Sequence, residues 1–197
     1  MTVIANLSAA TDVILGRERG LERLDTSADG FYRSFKGLAL VALIDGAIMV
    51  FTHGARFDIE VTKIENPLVF AATMLFIALM AYIASMLALF LLCRTEDLQR
   101  RFSTAVIVHN WASPVVSLIF AVPFFVLLKL EAFSHPEPSG SLATIILFGA
   151  IACLVVIGVR LLRISLSISN GQAFTFFAIS AGVSLLIDLW FNRLFGL

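Results

Sequence analysis

An acid inside an apolar run is the feature of this sequence with the most chemical potential. Asp45 sits in the stretch 35–52, nine residues past Lys36, or about 13 Å along a helix at ~1.5 Å per residue. A short carboxylate at that depth does not easily reach water. Ionisable groups in such runs serve ion or proton movement, a substrate contact, or a hydrogen-bond network between helices. Counting inward from flanking basic residues gives Asp45 neighbours at similar depth. His109 and Asn110 lie eight and nine residues past Arg101, Ser85 nine before Arg94, Tyr82 a turn deeper, and Ser180 near the same level. Asp45, Tyr82, Ser85, His109, Asn110 and Ser180 therefore form a candidate intramembrane polar layer. In it Asp45 is either protonated or paired with His109. The layer reads as a relay or substrate path, or as glue between helices. Asp188 and Arg193, five residues apart, form a candidate outer-interface set with an expected structural role.

Other chemistry is thinly supported. The sequence has no G-x-x-x-x-G-K-[ST], G-x-S-x-G or H-E-x-x-H pattern. Asp188 with His53 or His135 is the one candidate set for an enzyme acting on lipid. The three histidines fall at different predicted depths, which argues against a metal site. Cys93 and Cys153 have neither C-x-x-C nor Cys/His spacing and read as small apolar residues. No cofactor and no catalytic residue is expected. Fourteen basic residues balance fourteen acidic ones, so nothing in the charge calls for nucleic acid.

The elements that position these residues follow from composition. Of 197 residues, 59% are hydrophobic and 14% charged, against roughly 45–50% and about 25% in soluble domains. Five runs suit a bilayer: 35–52, 67–93, 102–128, 141–159 and 172–195. A span needs ~20 apolar residues for ~30 Å of hydrocarbon, and lipid requires each backbone group to be bonded within its helix. The uninterrupted runs lack the alternation of a β-barrel. The expected fold class is all-α: a polytopic membrane helix bundle of five transmembrane helices (31–197), preceded by an amphipathic N-terminal arm and connector (1–30). Pro114 and Pro123 interrupt the third run and predict kinks. Ala81, Ala84, Ser85 and Ala88 form a small ridge for close helix packing.

Lys and Arg set the orientation. Arg17, Arg19, Arg23, Arg33, Lys36, Arg94, Arg100, Arg101, Arg160 and Arg163 fall on one side, and Arg56, Lys63, Lys129 and Arg193 on the other. Ten against four predicts a cytoplasmic N-terminus. The acids Asp12, Glu18, Glu22, Asp25 and Asp29 speak against a signal or transit peptide in the first thirty residues. The Arg and Ala usage fits a GC-rich bacterial genome, and the expected location is the bacterial inner membrane.

The arm shows a helical stripe at 3, 7, 10, 14, 17, 21 and 24, with Arg17 as the intruder. Such a helix lies on the membrane surface, or packs on another protein or on the cytoplasmic end of the bundle. Thr26-Ser27-Ala28-Asp29 has the form of a capping box that starts the first spanning helix. Phe31, Tyr32 and Phe35 are then at headgroup level beside Arg33 and Lys36.

The segment Gly20-Leu21-Glu22-Arg23-Leu24-Asp25-Thr26-Ser27-Ala28-Asp29-Gly30-Phe31-Tyr32-Arg33-Ser34-Phe35 resembles the start of short proteobacterial proteins of the Yip1 family of five-span membrane proteins. His109-Asn110-Trp111-Ala112-Ser113 is similar to an Asn-Trp element in their third span. The five-span topology with a cytoplasmic arm is also similar. The eukaryotic branch assists vesicle trafficking and binds small GTPases, but its Asp-Leu-Tyr-Gly-Pro element is absent here. The resemblance thus implies a membrane protein with no transferable catalytic residues. The expected function is non-enzymatic: organising, assembling or regulating a partner complex in the lipid bilayer. The alternative is a small-solute or ion transporter or channel, as an oligomer, with Asp45 and His109 lining the path. The expected partners are a membrane protein or a second copy of the chain.

Overall fold

The computed structural model describes residues 2–52, 66–123, 126 and 140–195. Seven helices are seen among the described residues: α1 (Val3–Ile14), α2 (Arg19–Glu22), α3 (Ala28–Thr52), α4 (Pro67–Thr95), α5 (Gln99–Val116), α6 (Gly140–Leu166) and α7 (Asn170–Phe195). A π-helical turn, Ser117–Ala121, continues α5. No strand is present among these residues. Five helices are long and apolar enough to cross a bilayer: α3, α4, α5 with its π turn, the 148–166 part of α6, and α7. The chain is an all-helical, multi-pass membrane protein.

The fourth and third runs are shifted relative to the hydropathy reading. The fourth span reaches Leu166 rather than 159, because Arg160 and Arg163 stay within the helix. The third begins at Gln99 rather than Phe102. Two tight turns join the helix ends near these arginines. After α4, Leu98 N–H donates to the Cys93 carbonyl (2.7 Å), and after α6, Ile168 N–H donates to that of Arg163 (3.2 Å). Asp97 (φ 56°) and Ser167 (φ 53°) hold the left-handed conformation that this closure requires. Helix α7 then opens with a reciprocal cap: Ser169 Oγ accepts from Gln172 N–H (3.3 Å), and Gln172 Oε1 accepts from Ser169 N–H (3.3 Å).

Helix α5 is the axis of the bundle. It touches α1, α3, α4 and α6. Ala105 to Val108, Asn110 to Ala112 and Pro114 are buried. It is the least hydropathic of the five spans yet the most buried. Protein, not lipid, surrounds much of it, so its polar residues are tolerated.

The arm is folded onto the bundle. Ala9, Ala10, Val13 and Ile14 pack with Ile107, Val108, Trp111 and Ala112 of α5 and with Leu161 and Ile164 of α6. The buried face therefore runs through 6, 9, 10, 13 and 14, a different stripe from the one read in the sequence. That reading assumed one helix to residue 24. Instead α1 ends at Ile14, Gly16 just beyond it takes a left-handed φ of +83°, and Arg17 leaves the stripe. The helix-on-bundle alternative describes the arm; Val3, Ile4 and Leu15 remain exposed.

One carboxylate ties the arm together. Asp12 Oδ1 accepts from Arg17 (2.9 Å) and Arg19 (3.5 Å), and Oδ2 accepts from Arg23 (2.8 Å). Gly20 permits this fold-back, since a β-carbon there would come within 2.8 Å of Val13 Cγ2 and 2.9 Å of Asp12 Cβ. The hydrogen bond from Arg17, with the charge of Arg19 beside it, holds the Asp12 carboxyl below its ordinary 3.8. A depressed folded-state value stabilises the folded arm fully above the unfolded value and loses that contribution as pH falls through the folded one. Arm docking is thus expected to be flat from neutral pH down to about 4 and to weaken only below it. Trp111 packs under the arm, and Trp190→Phe leaves it as the sole tryptophan. Its emission should stay constant to about pH 4 and then shift. Asp12→Asn should show the shifted emission already at neutral pH.

The connector caps α3 one residue later than expected. Ser27, not Thr26, accepts from Gly30 N–H (3.1 Å). Asp25 Oδ1 accepts from both Ser27 N–H (3.1 Å) and Ser27 Oγ (2.6 Å). These bonds, chiefly that from the Ser27 hydroxyl, lower the carboxyl of Asp25 from its ordinary value.

Candidate functional site

The polar residues meet where α3, α4 and α5 converge. Asn110 is fully buried. Its Oδ1 accepts from the Tyr82 hydroxyl (2.7 Å), and its Nδ2 donates to Ser34 Oγ (2.9 Å). Ser34, also fully buried, donates in turn to the Phe31 carbonyl (2.7 Å). His109 stacks on the Tyr82 ring, with centroids 5.7 Å apart and planes at 29°. Three helices are therefore joined through one side-chain amide used at both ends. Buried amides left unpaired are costly, so this arrangement favours a single helix register.

The backbone at the same level is shaped by two residues. Pro114 lacks the N–H that would bond the Asn110 carbonyl four residues back, and its ring crowds that carbonyl. On α3, Gly37 leaves room for it. A β-carbon at 37 would run into the Asn110 carbonyl oxygen, lie 2.9 Å from its carbon and 3.2 Å from the Trp111 ring. The helices α3 and α5 thus come into close contact where a side chain is absent.

Asp45 belongs to a second level. It accepts a hydrogen bond from Ser117 Oγ, the first residue of the π-helical turn. Ser117 lies seven residues beyond Asn110, about 10 Å along the helix. The expected single layer is therefore divided. Tyr82, His109 and Asn110 come together, joined by Ser34, which the sequence reading missed. Asp45 pairs with Ser117, also missed, rather than with His109. Among the described residues no hydrogen bond joins Ser85 or Ser180 to either group. Ser180 is buried with its hydroxyl unpartnered.

The outer set is looser. No ion pair joins Asp188 to Arg193 among the described residues. The neighbourhood is aromatic, with Trp190 and Phe191 edge to face at 4.8 Å and Phe191 against Phe76 at 5.8 Å. His53 and His135, the remaining members of the lipid-enzyme candidate, lie outside the described residues. No group of His, Cys, Asp and Glu among the described residues is placed to hold a metal ion. Cys93 is buried and Cys153 exposed, both as free thiols.

Two cavities among the described residues are lined by neither Asp45 nor Asn110. One, of about 10 Å³, lies between the arm and α3, against Asn6, Asp25, Gly30, Arg33 and Trp111. It has room for about one water, and the unpartnered buried Asn6 Oδ1 lines it. The other opens on the outside of α6 and α7. No protein-family model, curated protein or solved structure matches the chain.

Proposed function

We propose that this protein is a non-enzymatic, Yip1-like component of the bacterial inner membrane. Its role is to organise, assemble or regulate a partner complex, with its N-terminus on the cytoplasmic side. The observation that supports this most is the use made of Asn110. Both ends of its amide are consumed in joining α3, α4 and α5, which supports a role for this residue in fixing the bundle. The arm adds a second support. It is held by Asp12 and its three arginines, and it presents exposed Ile4 and Leu15. That mixture of apolar and cationic groups suits contact with a partner.

The test is extraction in native lipid followed by identification of co-purifying protein. Ile4→Glu with Leu15→Glu, which leaves the buried face of α1 intact, should release a partner held by the arm. Retention of that partner would remove the arm from the contact.

A transporter is the second reading, and one observation favours it. Asp45 bonds to a π-helical turn, a deviation frequent at functional sites. Under that reading Asp45→Asn abolishes flux in reconstituted vesicles with the fold intact. Under ours it changes thermal stability by about 1 kcal/mol and no flux depends on it.

A further inference from the structure

The outward-facing groove between α6 and α7 has a chemistry that the central site does not use. It is a shallow, open groove with about 480 Å³ of space along it. Val156, Val159, Arg160 and Arg163 follow one another at the spacing of a single helix face on α6, and Asn170 and Phe174 line it from α7. One end is apolar and the other carries two guanidinium groups and an amide.

The cations are held at the groove by the arm. Arg160 Nη1 donates to the Ile14 carbonyl (2.8 Å), and no carboxylate pairs with it among the described residues. Arg163 lies 4.0 Å from Glu18, the outer limit of an ion pair, and Glu18 is itself well exposed. Arg160 also passes close to Gly16, whose missing side chain leaves it space. The turn between α1 and α2 thus orients both arginines, while a carbonyl and a distant carboxylate leave most of their donors free.

We propose that this groove binds one anionic phospholipid. Its phosphodiester meets Arg160, Arg163 and the Asn170 amide, and one acyl chain lies along Val156, Val159 and Phe174. Two points select lipid as the occupant. The groove lies on the outside of two spanning helices, where lipid is the surrounding medium. It also combines an apolar wall with basic groups near the helix ends, the arrangement that recognises anionic headgroups. Because the arm's turn orients the arginines, lipid binding and arm docking favour each other.

The full chain in detergent, supplied with phosphatidylglycerol or phosphatidylcholine, gives the test by native mass spectrometry. One phosphatidylglycerol should be retained per chain in preference to phosphatidylcholine. Arg163→Gln should lower that preference about fivefold. Val156→Trp, an exposed position that fills the groove without touching the core, should lower it as well with unchanged thermal stability. Arg94→Gln, which removes a charge from the end of α4, should not. Equal retention of both lipids, or a preference untouched by both groove variants, would overturn the proposal. Displacement of the lipid by millimolar inorganic phosphate would also overturn it, by showing a plain anion site.

Discussion

Gly37→Ala is expected to destabilise the bundle by roughly 1–3 kcal/mol, the range for overpacking a tight contact, while Gly182→Ala is neutral or stabilising. Both glycines sit inside apolar spanning helices, and helix propensity alone favours alanine by about 1 kcal/mol at each. Their surroundings differ. A β-carbon at 182 meets nothing within 4 Å, whereas one at 37 collides with the Asn110 carbonyl and crowds Trp111. Neither obstacle is the free end of a flexible chain. The carbonyl belongs to the backbone of α5, and Trp111 is 2% exposed beneath the arm. Relief therefore requires α3 to move away from α5, which lengthens the Asn110–Ser34 bond as well. Thermal unfolding in a single detergent, with both variants measured side by side, checks this. Equal effects at the two positions would mean that α3 and α5 are not in close contact at Gly37.

Asn110→Ala should be of similar size, about 1–3 kcal/mol destabilising, because the half-buried Tyr82 hydroxyl loses its acceptor and Ser34 keeps only its bond to the Phe31 carbonyl. Individual side-chain bonds between membrane helices average only ~0.6 kcal/mol and reach ~1.7 kcal/mol. Asn110 makes two, and its removal also leaves a cavity. Tyr82→Phe removes one bond and keeps the ring that stacks on His109, so it should cost less. Combined with Asn110→Ala it should add little, giving a coupling of about 1 kcal/mol in a double-mutant cycle. Additive effects would place Tyr82 and Asn110 in separate environments. A loss of flux without loss of stability in either variant would move the cluster from packing to transport.

Hydropathy made the five spans legible, since long apolar runs leave helices as the only spanning solution. The polar residues were legible as a set but not as pairs. Matching depth from Lys36 and Arg101 places Asp45 beside His109 and Asn110. The contacts Gly37–Asn110 and Asp45–Ser117 show a register about seven residues further along α5. The error has a physical source. Arg101 reaches the Leu166 carbonyl at the end of α6 (3.4 Å), so it marks the end of a helix that projects beyond the level of Lys36. Long basic side chains locate a boundary only to within their own length. The register is set instead by a missing side chain at Gly37 and a missing N–H at Pro114, and neither signals a partner in the sequence. Ser34 carries no signal in the sequence, because a lone serine near a helix start reads as a cap or surface residue. The arm's true stripe was hidden by Gly16, whose left-handed turn ends a pattern that periodicity alone carries through to residue 24.

Intact-complex mass spectrometry of the full chain extracted in native lipid tests the proposed scaffold role. A stoichiometric protein partner is expected, retained through the exposed face of the arm. A lone chain or a homo-oligomer without partner, coupled to an ion flux that Asp45→Asn abolishes, would contradict it and make the membrane-embedded carboxylate the centre of function.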